Sequence, residues 1–172
     1  MKNVLLVMGV SASLLVAACG GAEEPEVVAE EPTAAAETPT EAKSEVQEAI
    51  EYRQDRFKRV GANFKAVSDE IRSGSPDPAV VADAATKLRA LSNQSADWFA
   101  EGTGPEAGFE TEALPAIWEN PEEFEAARER FQTAALTLSE AADAGDMEAA
   151  GAAFAGLGGS CKGCHDNFRL DD

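Results

Sequence analysis

From Ser44 to Asp172 the apolar positions recur with helical spacing. Ile50, Phe57, Phe64 and Ile71 stand seven apart, with Val46, Val60 and Val67 on an adjoining row. This stripe predicts an amphipathic helix over Ser44–Arg72, stopped by Ser73-Gly74-Ser75-Pro76. A second helix is predicted over Asp77–Glu101. Asp77 is its cap, Pro78 sits in its first turn, and Val81, Ala84, Leu88, Leu91, Ser95 and Trp98 form its inner face. Residues 102–120 read as a long connection with a short turn at Ala116-Ile117-Trp118. Asn120-Pro121-Glu122-Glu123 opens a third helix carrying Phe124, Ala127, Phe131, Ala135, Leu138 and Ala142. Gly145 ends it. Asp146 caps a fourth, with Met147, Ala150, Phe154, Leu157, Cys161, Cys164 and Phe168 at three- and four-residue steps. Four such stripes predict an all-α, antiparallel four-helix bundle over residues 44–172.

The upstream chain has a different pattern. Residues 1–18 are an apolar run behind Lys2, too short to span a bilayer and shaped as a secretory signal. Val16-Ala17-Ala18-Cys19 has the form of a bacterial lipoprotein box, which makes Cys19 a lipidation site; ordinary cleavage near Ala18 is the plainer reading. Residues 19–43 hold seven Glu and three Pro without an apolar period, the composition of a disordered acidic linker. Such a linker serves as a spacer between a lipid anchor and the bundle, or as padding.

Of 172 residues, 32 are Asp or Glu and 14 are Lys or Arg, a formal charge of −18. This excludes a phosphate-binding nucleic-acid surface and leaves the membrane only the lipid anchor. It favours a solvated outer face and a basic redox partner protein.

Candidate chemistry is concentrated in Cys161-Lys162-Gly163-Cys164-His165. The C-x-x-C-H pattern reads as covalent attachment of one c-type haem. Two thiols one helical turn apart share a face and can form thioethers to the vinyl groups, while the adjacent imidazole becomes the axial iron ligand. A C-x-x-C disulfide does not need the His. A zinc site is poorly supplied, since His165 is the chain's one histidine and Cys19 its one other cysteine. Arg53 shares the row of Val46, Val60 and Val67, where a charge is costly unless paired. Two readings stand for it: a haem propionate as partner, or a packed stem with its head in water.

The chain resembles the cytochrome c′ family. The stretches that carry the likeness are Tyr52-Arg53-Gln54 leading into Gly61-Ala62-Asn63-Phe64-Lys65, Ala113-Leu114-Pro115-Ala116-Ile117-Trp118, and Ser160 to Arg169 around the attachment motif. The resemblance implies periplasmic electron transfer or binding of the gases NO and CO, in a protein that is often a homodimer. It also places a distal residue one turn after the Arg of the first helix. That position is a ligating Met in some members; here it is Phe57. By the same resemblance Arg169 lies near the proximal imidazole; a charge complementing the helix dipole is its other reading.

The residues agree about the sixth ligand. Met147, the one Met beyond the signal, precedes His165 by about 27 Å along one helix at the helical rise, and Tyr52 and Lys58 turn away from the Phe57 row by helical phase. Five-coordinate iron with Phe57 packed over an apolar distal face is therefore expected. A low-spin electron carrier with an unforeseen sixth ligand is the alternative. A peroxidase-like enzyme would need a distal His or Arg pair that the pattern does not reveal, so no enzymatic activity is expected. Trp98, Phe99 and Trp118 read as core aromatics.

Overall fold

The computed structural model describes residues 39–170, with side chains from residue 45. Five helices follow in order: α1 Pro39–Arg72, α2 Pro78–Gln94, the single-turn α3 Ala116–Glu119, α4 Pro121–Asp143 and α5 Met147–Phe168. No strand occurs among the described residues; one isolated antiparallel bridge joins Ala113 to Arg169. The four long helices form the expected bundle, each packed along the next in sequence, while α1 and α5 meet sparsely.

The punctuation of the helices has local causes. Asp77 Oδ1 accepts from the Ala79 amide at 2.9 Å and Asp146 Oδ1 from Ala149 at 2.9 Å, so both expected caps form. Asn120 occupies the cap position of α4 without a side-chain bond, and its amide closes α3 by donating to the Ala116 carbonyl. Gly145 ends α4 with φ +71°, a conformation costly for any residue with a Cβ.

Two boundaries differ from expectation. α1 starts at Pro39 and takes in the last five linker residues, since proline suits a first turn and Glu-Ala-Lys favours helix. The signal run, Cys19 and the rest of the linker lie outside the described residues. α2 stops at Gln94, and Ser95–Trp98 continue as a 3₁₀ turn rather than running to Glu101. The Ser92 and Ser95 hydroxyls bond back to the carbonyls of Arg89 and Ser92 at 2.9 and 2.6 Å, competing with the α-helical ladder.

The stripes of α1, α2, α4 and α5 meet in a core around Val67, Leu88, Leu138 and Leu157. Trp98 is only 2% exposed and joins it. A smaller cluster of Ile117, Ala127 and Phe168 lies under the long connection. On α1 the depth of the two rows reverses beyond Ile50, which is itself buried. Arg53, Val60 and Val67 are buried, whereas Phe57 is 39% exposed and Phe64 and Ile71 are only half-buried. Phe57 is thus not a packed core residue. Its row and the half-buried members of the α4 and α5 stripes face one another across an opening in the bundle.

Candidate functional site

The opening is a cavity of about 830 Å³ between α1, α4 and α5, within the range of about 300–1,000 Å³ usual for small-molecule and cofactor sites. α1 contributes Arg53, Phe57 and Phe64; α4 contributes Phe124, Arg128 and Phe131; α5 contributes Cys161, Cys164 and His165. Apolar rings dominate the lining, with charge confined to a few positions. A planar, apolar group with carboxylate edges meets complementary surface here.

Helical periodicity places the attachment motif. Cys161 and Cys164 are one turn apart on the inward side of α5, half-buried, and both are free thiols. Burial raises both thiols above the usual cysteine range, so they stand protonated at neutral pH. Among the described residues no cluster of three or more His, Cys, Asp or Glu could hold a bare metal ion. His165 is half-buried, and burial, with Arg169 adding to it, holds its imidazole below the usual histidine value. A neutral imidazole keeps the lone pair an iron ligand requires.

Arg53 is 3% exposed, which removes the reading with its head in water. Its Nη1 donates to Thr103 Oγ1 at 2.8 Å and, at 3.4 Å, to the Trp98 carbonyl. Its Nη2 donates to the Thr103 carbonyl at 2.8 Å and to Thr111 Oγ1 at 2.9 Å. The guanidinium lies 5.2 Å over the Phe99 ring. All these acceptors are neutral, and burial lowers the Arg53 pKa. A buried cation with neutral partners on a cavity wall is suited to a carboxylate arriving in that cavity.

At the far end of α5, Arg169 lies past the last helical residue with extended backbone. Its amide bonds to the His165 carbonyl at 3.1 Å, and its Nε reaches Glu112 Oε2 at 2.7 Å. That hydrogen bond holds the Glu112 carboxyl below the usual glutamate range. The strands of chain on either side are stitched by backbone: Leu114 N to the Phe168 carbonyl at 3.0 Å, and Leu170 N to the Glu112 carbonyl at 2.8 Å. The same connection reaches α1 through Thr111 to Arg53 and through the Glu110 carbonyl, which accepts from Gln54 Nε2 at 3.0 Å. Residues 110–114 therefore close one end of the cavity and fix Arg169 beside the motif. Arg169 thus stands at the C-terminal end of α5, one turn past His165, with Glu112 as a partner that the sequence does not signal.

Phe57 sits opposite the motif on α1, its ring edge-to-face with Trp98 at 5.1 Å and near Phe99 at 6.0 Å. Lys58, which phase alone turns away from this row, borders the cavity as an exposed side chain. The expectation about Tyr52 holds: it faces solvent and stacks with Arg56, whose guanidinium is 4.4 Å from the ring centroid. Met147 opens α5 and packs at the bundle's other core, away from the cavity lining. Thr103, Thr111, Glu112 and Arg128 were not singled out by sequence. The first three come from an aperiodic connection. Arg128 had a readable mark, since a cation between Phe124 and Phe131 interrupts an apolar stripe as Arg53 does on α1.

Residues 48–169 match the family described as Cytochrome C′. The cytochrome c′ of Pararhodospirillum photometricum is 38% identical over 120 residues, covering 70% of this chain and 94% of that protein. The crystal structure of cytochrome c′ from Thermochromatium tepidum superposes with a TM-score of 0.69 at 29% identity, over 73% of this chain and 97% of that one. A nitric oxide complex of a cytochrome c prime variant from Alcaligenes xylosoxidans superposes at 0.66 with 31% identity, over 73% and 97% of the two chains. With the match spanning the whole bundle and its attachment helix, this chain belongs to the cytochrome c′ family of c-type haem proteins.

Proposed function

We propose that the protein is a periplasmic c-type haem protein for electron transfer and binding of NO or CO rather than an enzyme, with one haem held covalently by Cys161 and Cys164 and ligated by His165. One observation carries this: two free thiols and a neutral imidazole on one wall of an apolar cavity, facing Phe57 on the other. Haem bound there supplies a one-electron couple and an open coordination position. Arg53 would hold a propionate, Phe57 would exclude water from the open face, and Arg169 would fix the orientation of the His165 turn. The iron would then be five-coordinate, with NO and CO as the exogenous ligands it would take. The nitric oxide complex of the Alcaligenes relative supports the NO half of this reading.

The acidic surface suits transient docking of a basic redox partner, because its exposed ion pairs (Asp55–Arg59, Lys65–Asp69, Lys87–Asp83, Lys162–Asp166) leave most carboxylates unneutralised. A homodimer is compatible with the family. Acid-acetone extraction tests the central claim: the haem should stay on the wild-type chain and leave a Cys161→Ala/Cys164→Ala variant. Haem in the organic phase from wild type overturns it. A low-spin spectrum blind to CO would instead favour a pure electron carrier with a sixth ligand. Lipidation at Cys19 is proposed from the lipobox pattern; Cys19→Ala should move the protein from the membrane fraction to the soluble one, and a wild type already wholly soluble with an unmodified N-terminus refutes it.

A further inference from the structure

The 3₁₀ turn Ser95–Trp98 that follows α2 sets Trp98 directly behind Phe57. The two rings meet edge-to-face, with centroids 5.1 Å apart and planes at 81°. Phe57 lines the cavity and is 39% exposed. Trp98 lies outside that lining, is 2% exposed, and belongs to the main core with Val60, Leu88 and Leu91. Its indole N–H is buried and has no hydrogen-bond partner among the described residues, so packing alone fixes the ring. Its carbonyl accepts from Arg53 Nη1 at 3.4 Å. The other ring against Phe57 is Phe99, at 6.0 Å, and it is clamped in turn. Phe124 stands 4.8 Å from it, the Arg53 guanidinium 5.2 Å over it, and its carbonyl accepts from Trp118 Nε1 at 3.3 Å.

A ring backed by a close-packed core cannot sink into it, since interiors yield little volume to a moving side chain. Phe57 therefore cannot withdraw inward. It gives way only along the cavity wall, and that movement breaks its contact with the indole. We propose that Trp98 is a positioning residue that holds the Phe57 ring over the open face of the haem and thereby slows the entry of NO and CO. Because Trp98 lies outside the lining, it acts through Phe57 alone.

The proposal rests on the haem reading above, and its test separates the two. CO association to the ferrous holoprotein is timed by stopped flow for wild type, Trp98→Leu, Phe57→Ala and the double variant. Trp98→Leu should speed association about two- to tenfold, the worth of one edge-to-face ring contact. Trp98→Phe keeps an aromatic edge and breaks no hydrogen bond of the indole, so it should stay within about twofold of wild type on the same scale. In the Phe57→Ala background, Trp98→Leu should change the rate by less than about 1.5-fold, because the ring it holds is gone. Urea midpoints should be non-additive as well, since each single change removes the same contact. Far-UV circular dichroism and the Soret absorbance show that each variant is folded and loaded. Trp98→Met, whose flexible side chain fits an irregular gap, carries the same expectation should Trp98→Leu fail to fold. A Trp98→Leu rate equal to wild type overturns the inference, and so do additive midpoints. An acceleration of the same size with and without the Phe57 ring also overturns it, assigning Trp98 to core packing at large. Wild type without covalent haem, or low-spin and blind to CO, overturns the haem reading and this inference with it.

Discussion

Replacing Arg53 by Met keeps the length and apolar stem and removes the guanidinium. Three bonds of 2.8–2.9 Å and the weaker one to the Trp98 carbonyl are lost. The Thr103 hydroxyl is not stranded by this, since it still donates to the Ala100 carbonyl at 2.7 Å. The Thr103 carbonyl and the Thr111 hydroxyl lose a charged donor. At about 1–1.5 kcal/mol net for each good bond, with a further ~0.5–1 kcal/mol from the contact over Phe99, the gross loss is about 4–5 kcal/mol. Escaping the desolvation of a buried cation returns part of it, on the order of 2 kcal/mol. A net destabilisation of about 2–3 kcal/mol remains, near the lower bound for removing a buried charged group's interactions. With a urea m-value of about 2 kcal/mol/M, the midpoint should fall by roughly 1–1.5 M. The assay is equilibrium urea unfolding of the haem-loaded protein, followed by far-UV circular dichroism. Arg53→Lys should lie between the two, because an ammonium cannot hold Thr103 and Thr111 with one rigid fork. A midpoint for Arg53→Met within about 0.2 M of wild type, under 0.5 kcal/mol at that m-value, would refute the idea that this guanidinium ties α1 to the connection.

Phe57→Ala should speed CO association to the ferrous protein, since the ring stands over the open face; stopped-flow rates equal to wild type would contradict this. Its stability cost should be about 1–2 kcal/mol, from two edge-to-face contacts, and not the larger loss of a fully buried ring. Phe57→Met should give a low-spin spectrum with suppressed CO binding. The Glu112 carboxyl, depressed by its bond to Arg169, contributes stability above the ordinary glutamate pKa and loses it as pH falls through its own lower one. Glu112→Gln should therefore flatten the acid limb of the stability curve by less than about 1 kcal/mol, as befits an exposed pair. A carboxyl NMR titration placing Glu112 at or above the usual value would remove the basis for that effect.

The legible parts of the fold were those governed by period and by local chemistry. Every predicted α2 stripe residue is buried, from Val81 to Trp98, because a helix between two neighbours has one clear inner face. Asp77 and Asp146 could be read as caps because capping needs only residues a few positions away. The attachment motif was legible because its chemistry sits within five consecutive residues. Which α1 row lies deepest was not legible. Heptad spacing marks Phe57 and Phe64 as apolar without saying that they face a cavity instead of a helix. Arg53's charge could be flagged on its row, but Thr103 and Thr111 come from a segment with no period. The Glu112–Arg169 pair joins positions 57 apart and has no local sign. The early end of α2 turned on two serine hydroxyls bonding back to the backbone, a competition that apolar spacing does not register.

The stitch between residues 110–114 and the chain after α5 has a kinetic consequence. Three seams of the bundle join helices adjacent in sequence and can form by short-range zippering. The fourth, between first and last helices, is bridged by the Phe64–Phe154 ring contact at 4.4 Å and by bonds spanning 57 and 58 residues, at Glu112–Arg169 and Arg53–Thr111. Contacts of such separation close late in folding, because the loop entropy must be overcome before they contribute. The same seam should be the first to part in native-state fluctuations, releasing the Leu114 and Leu170 amides to exchange with solvent while the α2–α4 core stays protected. Folding thus leaves a side door along the edge that carries the attachment cysteines, so the bundle need not unravel for that wall to be reached.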